Sequence, residues 1–255
     1  MPTSIDLSGS RALVTGSGHG LGRAIALALA DAGADVVVHY GSSADEAAET
    51  VDHVTARGRR SVALQADVTV PEAVDRLVSD SVEFLGGLDI LVTNAGHLVE
   101  RRPIRDMETD LWHRILDVNA TSTFLTCRAA LPTLLESRGT IVTMSSLAAH
   151  NGGGAGAVAY SAAKAAVSGF TRGLAKEVGP LGVRVNAVAP GFIADTKFHA
   201  TFTADEARPG IIAGIPLGRA GVPEDVSGVV LFLVSPLAAF VNGETVDITG
   251  GQWVR

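Results

Sequence analysis

Cysteine is almost absent from this chain of 255 residues, in which Cys127 stands alone. A single cysteine excludes an internal disulfide framework and a metal site built from cysteines, and we expect no metal site. Cys127 lies in an apolar helical run, which indicates inert packing. No apolar run is long enough to span a bilayer, and the first residues lack the basic and apolar regions of a signal peptide. These absences predict a cytoplasmic protein.

Positive charge is also in short supply, because 20 Lys and Arg face 27 Asp and Glu for a formal net charge of -7. This balance argues against nucleic acid and anionic membranes as partners, and leaves a small molecule as the expected ligand. Apolar residues make up 47% and charged residues 18%, which is typical of a globular chain. At this length the chain can bury one large core, so we expect a single domain, residues 1–255.

Short apolar strands alternate with helical segments along the whole chain. The predicted strands are 11–15, 34–40, 61–66, 89–93, 140–144, 183–189 and 245–248. The predicted helices are 23–32, 44–57, 71–85 with Thr69 as its cap, 109–136, 157–178 and 224–234. Nearly continuous apolar strands joined by helices require a parallel sheet that is covered on both faces. The sequence therefore predicts an α/β protein with a doubly wound parallel sheet of about seven strands.

Two segments break this alternation. Residues 150–156 are rich in glycine and follow a strand, so we expect a mobile loop near the carboxyl end of that strand. Residues 190–216 form the one long connection, and their phenylalanines and isoleucines are too apolar for a solvated loop. Such a segment beside a site predicts a lid, with a purely structural pair of helices as the alternative.

A glycine loop follows the first predicted strand. Gly16, Gly20 and Gly22 have the spacing G-x-x-x-G-x-G and stand where a helix begins. Glycine allows positive φ and a close approach of backbone N–H groups to a pyrophosphate, which the helix N-terminus then stabilises. Two further motifs, Asp67-Val68 and Asn94-Ala95-Gly96, follow the third and fourth strands and are expected at the same edge of the sheet. Together they predict a dinucleotide site.

A tyrosine and a lysine four residues apart, Tyr160 and Lys164, share one face of a predicted helix. A phenol has an ordinary pKa of about 10, and a cation beside its oxygen favours the phenolate. The pair could therefore serve as a tuned acid and base. For such a pair taken alone, a half-buried ring and a solvated charge are the alternative.

These motifs resemble, in order and over nearly the whole chain, those of the short-chain dehydrogenase/reductases of about 250 residues. The resemblance is carried by the glycine loop, Asp67-Val68, Asn94-Ala95-Gly96, Asn119, Ser145-Ser146, Tyr160-x-x-x-Lys164 and Pro190-Gly191. It implies a Rossmann fold and a catalytic set. Tyr160 would be the general acid and base, Lys164 would hold the ribose and stabilise the phenolate, Ser146 would hold the substrate oxygen, and Asn119 would order a relay water.

The motifs and their neighbours define the predicted cofactor contacts. They are Gly16, Ser17, His19, Gly20, Leu21, Tyr40, Ser42, Ser43, Asp67, Val68, Asn94, Ala95, Gly96, Tyr160, Lys164, Pro190, Gly191, Ile193 and Thr196. Members that prefer NAD place an acidic residue at the end of the second strand, and here Tyr40 holds that position. Ser42 and Ser43 offer small donors for a 2′-phosphate, so we expect NADP rather than NAD, although neither the second strand's end nor the glycine loop supplies Arg or Lys.

The class of substrate is predicted from polar residues in loops near the site. His97, His150 and Asn151 follow the motifs that end strands, and their side chains would suit a sugar or polyol. The predicted substrate contacts are Ser146, His150, Tyr160 and Phe192. A 3-oxoacyl-(acyl-carrier-protein) reductase is the alternative activity, and a catalytically silent nucleotide-binding regulator is the alternative outside enzymes. Surplus apolar faces on helices 109–136 and 157–178 predict a homotetramer or homodimer.

Overall fold

Seven parallel strands form a single sheet in the part of the chain that the structure, a computed structural model, describes, residues 5–254. The strands are β1 Arg11–Val14, β2 Asp35–Tyr40, β3 Ser61–Gln65, β4 Ile90–Thr93, β5 Thr140–Met144, β6 Arg184–Pro190 and β7 Thr245–Ile248. Their spatial order is β3-β2-β1-β4-β5-β6-β7. Strands β2 and β3 are added on one side of β1, and β4 to β7 on the other, so the strand order switches between β1 and β4. Open parallel sheets bind ligands at such a switch point. The prediction of a doubly wound sheet of seven strands is confirmed.

Ten α-helices accompany the strands in the described residues. They are α1 Gly20–Asp31, α2 Ala44–Thr55, α3 Pro71–Leu85, α4 Thr109–Leu116, α5 Ser122–Ser137, α6 Ala148–Asn151, α7 Val158–Val178, α8 Lys197–Phe202, α9 Arg208–Ala213 and α10 Pro223–Val234. Helices α1, α2 and α10 cover one face of the sheet, and α3, α5 and α7 cover the other. None of the helices between residues 5 and 254 is both long and apolar enough to cross a membrane.

Neighbouring residues of one strand belong to different layers of the core. Val14 packs with Leu29 of α1 and Leu233 of α10 on one face. Leu13 belongs to the opposite layer, with Leu77 of α3 and Leu134 of α5. Side chains alternate between the two faces of a strand, so a strand covered on both faces must be apolar throughout. This requirement explains why the strands are visible in the sequence.

The predicted start of α1 and the predicted cap of α3 differ from the structure, whereas the bounds of α3 are those predicted. Helix α1 begins at Gly20, three residues earlier than expected, because the glycine loop itself supplies the first turn. Thr69 does not cap α3: the N-cap position is Val70, and the Thr69 hydroxyl donates instead to Asp67 Oδ1 at 2.6 Å. The short side chain of Thr69 is thus used to fix the turn after β3.

The long helix expected over 109–136 is interrupted. A π-helical turn, Asp117–Thr121, joins α4 to α5 and contains the buried Asn119. Single π-turns within helices often mark functional sites, since they change the direction of a side chain. The segment expected as a loop over 150–156 is partly helical, because α6 ends at Asn151. In the long connection, α8 and α9 form two short helices above the carboxyl ends of the strands.

Candidate active site

A cavity of about 850 Å³ opens at the carboxyl ends of the strands. It begins at the glycine loop, passes the end of β2 and reaches Tyr160. Every predicted cofactor contact lines it except Ser17, and Ser146 and His97 line it as well. The volume falls within the range of ligand-binding clefts. The fold therefore brings together motifs that are up to 180 residues apart in the chain.

The glycine loop leaves room for a phosphate. Gly16 and Gly20 have positive φ, +64° and +56°. A Cβ on Gly22 would lie 2.2 Å from Gly16 O, whereas a Cβ on Gly20 would meet no atom within 4 Å. Gly22 is thus required for packing, and Gly20 faces open space at the start of α1. The first turn of α1 has no acidic residue and no side-chain cap, so its N–H groups suit the pyrophosphate of a dinucleotide.

The Ser17 side chain stabilises the glycine loop from the protein interior. It is fully buried; its hydroxyl donates to Val14 O at 2.7 Å and accepts from the backbone N–H of His39 at 3.2 Å. The side chain is therefore committed to the protein interior, and the expectation that Ser17 contacts the cofactor is not supported. A serine within a glycine loop gives no sign in the sequence of the direction in which it points.

His39 is a second support that the motifs do not reveal. Its Nδ1 accepts a hydrogen bond from the Gly16 N–H at 2.9 Å, and its Nε2 lies 3.1 Å from Ala66 O. A carbonyl only accepts, so Nε2 carries the proton and the ring is neutral. Burial lowers the pKa of His39, opposed by the Ala66 hydrogen bond and by Asp67. One ring thus joins the glycine loop to the end of β3.

Asn94, at the end of β4, forms hydrogen bonds to the glycine loop at the end of β1. Its Nδ2 donates to the carbonyls of Thr15 and Gly16, each at 2.9 Å. The Thr15 hydroxyl accepts in turn from the Ala95 N–H at 2.9 Å. These bonds join the ends of β1 and β4, so the Asn94 amide shapes the loop although the residue also lines the cavity.

Two cations line the cavity that the motifs did not indicate, Arg76 and Lys197. Lys197, at the start of α8, forms an ion pair with Glu46 of α2, and Glu46 is also hydrogen-bonded by Ser43. Arg76 is placed by helical spacing, because it stands three residues after Ala73, which also lines the cavity. The sequence could therefore have indicated that Arg76 lines the cavity. The position of Lys197 could not be inferred in this way, because it depends on how residues 190–216 fold.

Tyr160 holds its proton. Burial raises the pKa of its phenol to about 12, and a hydrogen bond with Ser146 opposes this shift. Nζ of Lys164 lies 5.7 Å from the centre of the phenol ring and donates to Met144 O at 2.8 Å. Burial also lowers the pKa of Lys164 to about 8. Burial is thus the largest influence on the Tyr160 pKa, and the expectation that Lys164 favours the phenolate stays a prediction.

The two neighbouring serines have different surroundings. Ser145 is buried, and its hydroxyl lies 3.0 Å from Lys164 O and 2.8 Å from the Ser168 hydroxyl. Ser146 lines the cavity, is bonded to Tyr160, and accepts from the Ala148 N–H at 3.2 Å. Only Ser146 can present its hydroxyl to the oxygen that Tyr160 serves.

Asn119 points its acceptor toward Lys164. Its Nδ2 donates to His97 O at 2.7 Å and to Ile115 O at 2.8 Å. Its Oδ1 is buried and has no hydrogen-bond partner among residues 5–254. A Cβ on Gly96 would lie 2.7 Å from this Oδ1 and 2.9 Å from Lys164 Nζ, so the acceptor and the donor face the same small space. Only glycine leaves that space open.

The predicted substrate residues separate into two groups. Ser146, Tyr160 and His97 line the cavity. His150 does not: its Nε2 lies 2.9 Å from Asp247 Oδ1, and its ring stacks on Trp253. Phe192 is buried and lines a separate cavity of about 280 Å³. The expectation that His150 and Phe192 contact substrate is therefore not supported.

Asn151 adds nothing to a polar pocket either, because its Oδ1 accepts from the Gly153 N–H within an exposed turn. Aromatic residues of α8 approach the site instead: the ring of Phe198 lies 5.7 Å from that of Tyr160. In the described residues no group of three or more His, Cys, Asp or Glu is placed to hold a metal ion. Of the predicted catalytic residues, Tyr160, Lys164 and Ser146 line the cavity, and the Oδ1 of Asn119 faces Lys164.

Comparisons with known proteins cover nearly the whole chain. A family model described as enoyl-(acyl carrier protein) reductase matches residues 16–252. A hydroxynaphthalene reductase-like protein Arp2 of Metarhizium robertsii is 38% identical over 98% of this chain and 97% of its own. A 3-oxoacyl-(acyl-carrier-protein) reductase of Synechocystis sp. is 40% identical over 96% and 98%. A short chain dehydrogenase from Burkholderia cenocepacia, solved in complex with NADP, is 38% identical, with a TM-score of 0.90 over 96% and 98%.

Proposed function

The chain belongs to the short-chain dehydrogenase/reductase family, whose members act on CH–OH/C=O pairs with NADP or NAD, and we propose that it reduces a small ketone with NADPH. The observation that carries the proposal is the hydrogen bond between Tyr160 and Ser146 inside the cavity that starts at the glycine loop. Burial raises the pKa of the Tyr160 phenol to about 12, so this group is suited to donate a proton to a substrate oxygen.

When bound, the nicotinamide supplies the hydride, so the chain must supply orientation and a proton. Ser146 donates a hydrogen bond to the substrate carbonyl, which polarises it and places its oxygen beside Tyr160. Tyr160 then transfers its proton to that oxygen. The roles of both side chains follow from the hydrogen bond between them. A substrate oxygen that breaks this bond and binds in its place lies within reach of both hydroxyl groups.

Each turnover consumes one proton, which must reach Tyr160 from solvent by way of groups in the protein. Lys164 Nζ and Asn119 Oδ1 face one small space beside Gly96, where a water would accept from one and donate to the other. With the pKa of Lys164 lowered to about 8, its ammonium can give up a proton near neutral pH. We assign Lys164 and Asn119 to this relay, and Lys164 also to the ribose.

The preference for NADPH rests on charge. Tyr40 occupies the end of β2, so no carboxylate stands there to repel a 2′-phosphate. Ser42, Ser43, Arg76 and Lys197 all line the cavity, and Ser43 and Lys197 are both hydrogen-bonded to Glu46. A cation with a phosphate makes charge-assisted hydrogen bonds, which are stronger than those from hydroxyl groups alone. These residues fit NADPH better than NADH.

Isothermal titration calorimetry of the purified protein with each cofactor in turn tests this preference. We expect NADPH to bind at least ten-fold more tightly, which corresponds to about 1.4 kcal/mol. Arg76→Gln should weaken NADPH and leave NADH unchanged, whereas Arg172→Gln, on the far end of α7, is the matched control. A ten-fold preference for NADH would overturn the assignment.

We further propose that residues 190–216 act as a lid. Lys197 connects α8 to Glu46, and Arg101 donates to Phe202 O of α8 and to Ala155 O, each at 3.1 Å. These contacts join α8 to α2 and to the segments that contain Arg101 and Ala155. Opening the lid breaks these polar contacts, of which an exposed ion pair contributes only about 0–1 kcal/mol, and it also separates the ring of Phe198 from that of Tyr160.

Reduction of a 3-oxoacyl thioester is the second candidate. The relative from Synechocystis carries that name, and a thioester also has a ketone for Tyr160 and Ser146 to serve. An acidic carrier needs a basic docking surface, and the end of α5 around Leu131 and Pro132 is not basic. A substrate panel that includes acetoacetyl thioesters distinguishes this candidate from free ketones.

For assembly, we propose a homotetramer in the cytoplasm. The exposed Phe124 of α5, 44% accessible, and Val158 of α7, 48% accessible, offer an apolar surface on the outer helices. A second apolar surface surrounds the fully exposed Phe240. Two separate apolar surfaces suit an assembly with two kinds of interface. Light scattering measures the mass, and a monomer would contradict the proposal.

A further inference from the structure

The side chains around Tyr160 indicate a substrate class that the motifs do not give. We infer that the substrate carries a planar aromatic ring fused or attached next to its ketone, an inference that rests on the proposed ketone reduction. Sugars, polyols and acyl thioesters are the competing classes. The observations that decide between them are the walls of the pocket and the state of its polar atoms.

The end of the cavity around Tyr160 is lined by aromatic rings. Phe198 lies 5.7 Å from Tyr160 between ring centres, with the planes at 40°. Phe202 does not line the cavity but packs behind these rings, 5.3 Å from Phe198 and 5.2 Å from His97. These separations match the range in which aromatic rings attract one another, so Tyr160, Phe198 and His97 line the cavity as one group of rings that Phe202 supports. A flat ring system can lie against these rings while its ketone reaches Ser146.

The two histidines that line this end of the cavity, His97 and His199, each have Nδ1 engaged. His97 Nδ1 accepts from the Val99 N–H at 2.8 Å, and His199 Nδ1 lies 2.9 Å from the Thr203 hydroxyl. Burial, followed by the charges of Arg208 and Arg101, lowers the pKa of His199 to about 4, against a hydrogen bond with the Gly191 backbone, so its ring is neutral at working pH. His199 therefore contributes mainly a ring face, whereas His97 contributes a ring face and a single Nε2–H donor.

A sugar needs a partner for each of its hydroxyls, since an unpaired polar group in a closed pocket is costly. His150 and Asn151, which would have supplied two partners, lie outside the cavity. A flexible acyl chain would fill the pocket, but it gains nothing from ring geometry. The pocket thus favours an aromatic ketone over both alternatives.

The test compares two bicyclic ketones of nearly equal size, 2-tetralone and 2-decalone, with NADPH in excess. The carbonyl of 2-tetralone is not conjugated with its aromatic ring, so the pair differs mainly in the second ring. Fructose and an acetoacetyl thioester complete the panel. We expect kcat/KM for 2-tetralone to exceed that for 2-decalone by about ten-fold, the size of one good aromatic contact.

Variants of single residues show which side chains produce the preference for 2-tetralone over 2-decalone. Phe198→Leu should reduce the ratio of the two ketones about three- to ten-fold, through loss of an aromatic face while an apolar side chain remains. Phe202→Leu, which removes the ring behind Phe198, should act in the same direction, and Phe84→Leu, in α3 and away from the cavity lining, is the matched control. If Phe198→Leu does not fold, the ratio in the unmodified protein and the Phe202→Leu variant still decide.

The outcomes separate this inference from the proposed function. Equal rates for the two bicyclic ketones, or a clear preference for fructose or the thioester, would overturn the aromatic class while ketone reduction stands. Failure to reduce any carbonyl compound despite NADPH binding would overturn the proposed function itself. A high ratio that falls in Phe198→Leu but not in Phe84→Leu supports the inference.

Discussion

Replacing His39 probes the support beneath the glycine loop. In His39→Leu the Gly16 N–H loses its acceptor and Ala66 O loses its donor, while the volume of the side chain is roughly kept. In His39→Asn the amide oxygen can take the place of Nδ1, so only the bond to Ala66 is lost. Asparagine also has no proton to gain near neutral pH, which makes it the matched control for titration.

The expected magnitudes follow from the number of groups left without a partner. A buried donor or acceptor without a partner costs about 1–3 kcal/mol, so His39→Leu, which leaves two such groups, should lower the free energy of unfolding by about 2–6 kcal/mol. His39→Asn should lower it by about 1–3 kcal/mol for the same reason. NADPH binding should weaken more in His39→Leu, because Gly16 then no longer holds the loop in its binding shape.

The pH dependence has a definite sign. The pKa of His39 is lowered in the folded protein, so the unfolded chain binds a proton first as pH falls. The contribution of neutral His39 is complete above its ordinary pKa of about 6.5, and it is lost as pH falls from there toward the folded pKa. Protonation would also direct an Nδ1–H against the Gly16 N–H, which accounts for a coupled loss of NADPH affinity.

Urea unfolding and NADPH titration at several pH values between 5 and 8 measure both effects. His19, His97 and His199 also have lowered pKa values, so the informative quantity is the difference between the unmodified protein and His39→Asn. We expect that difference to shrink as pH falls. Parallel curves, or an unchanged NADPH affinity in His39→Leu, would refute the role of His39.

Two further predictions concern the acid and the glycine loop. Tyr160→Phe should lose most turnover while keeping NADPH affinity, because it removes the proton donor and leaves the ring in place; steady-state rates and titration measure this, and near-normal turnover would exclude Tyr160 as the acid. Gly22→Ala should lower the thermal midpoint strongly, since its Cβ would lie 2.2 Å from Gly16 O. Gly20→Ala should chiefly weaken NADPH binding, because its Cβ enters open space at the start of α1, at about 1 kcal/mol of backbone strain. Gly169→Ala, in open space within α7, is the control and should be neutral or slightly stabilising. Equal thermal midpoints for Gly22→Ala and Gly169→Ala would contradict the packing argument.

The sequence by itself determined the sheet and the order of its motifs. Strands covered on both faces must be apolar throughout, and this local requirement is legible in segments such as β4 and β5. Parallel strands place their carboxyl ends together, so the glycine loop and the motif at Asn94 had to share an edge. The pattern that identifies the family, from Gly16 to Pro190, likewise depends on residue types and spacing.

The tertiary structure alone decided the state and direction of individual side chains. The distinction between Ser145 and Ser146 depends on contacts with α7, and the high pKa of Tyr160 depends on burial from several elements at once. A π-turn directs Asn119 toward Lys164, and no helical periodicity shows such a turn. The folding of residues 190–216 placed Phe198 at the site. Burial and contacts between distant segments are properties of the whole chain, so local pattern could not supply them.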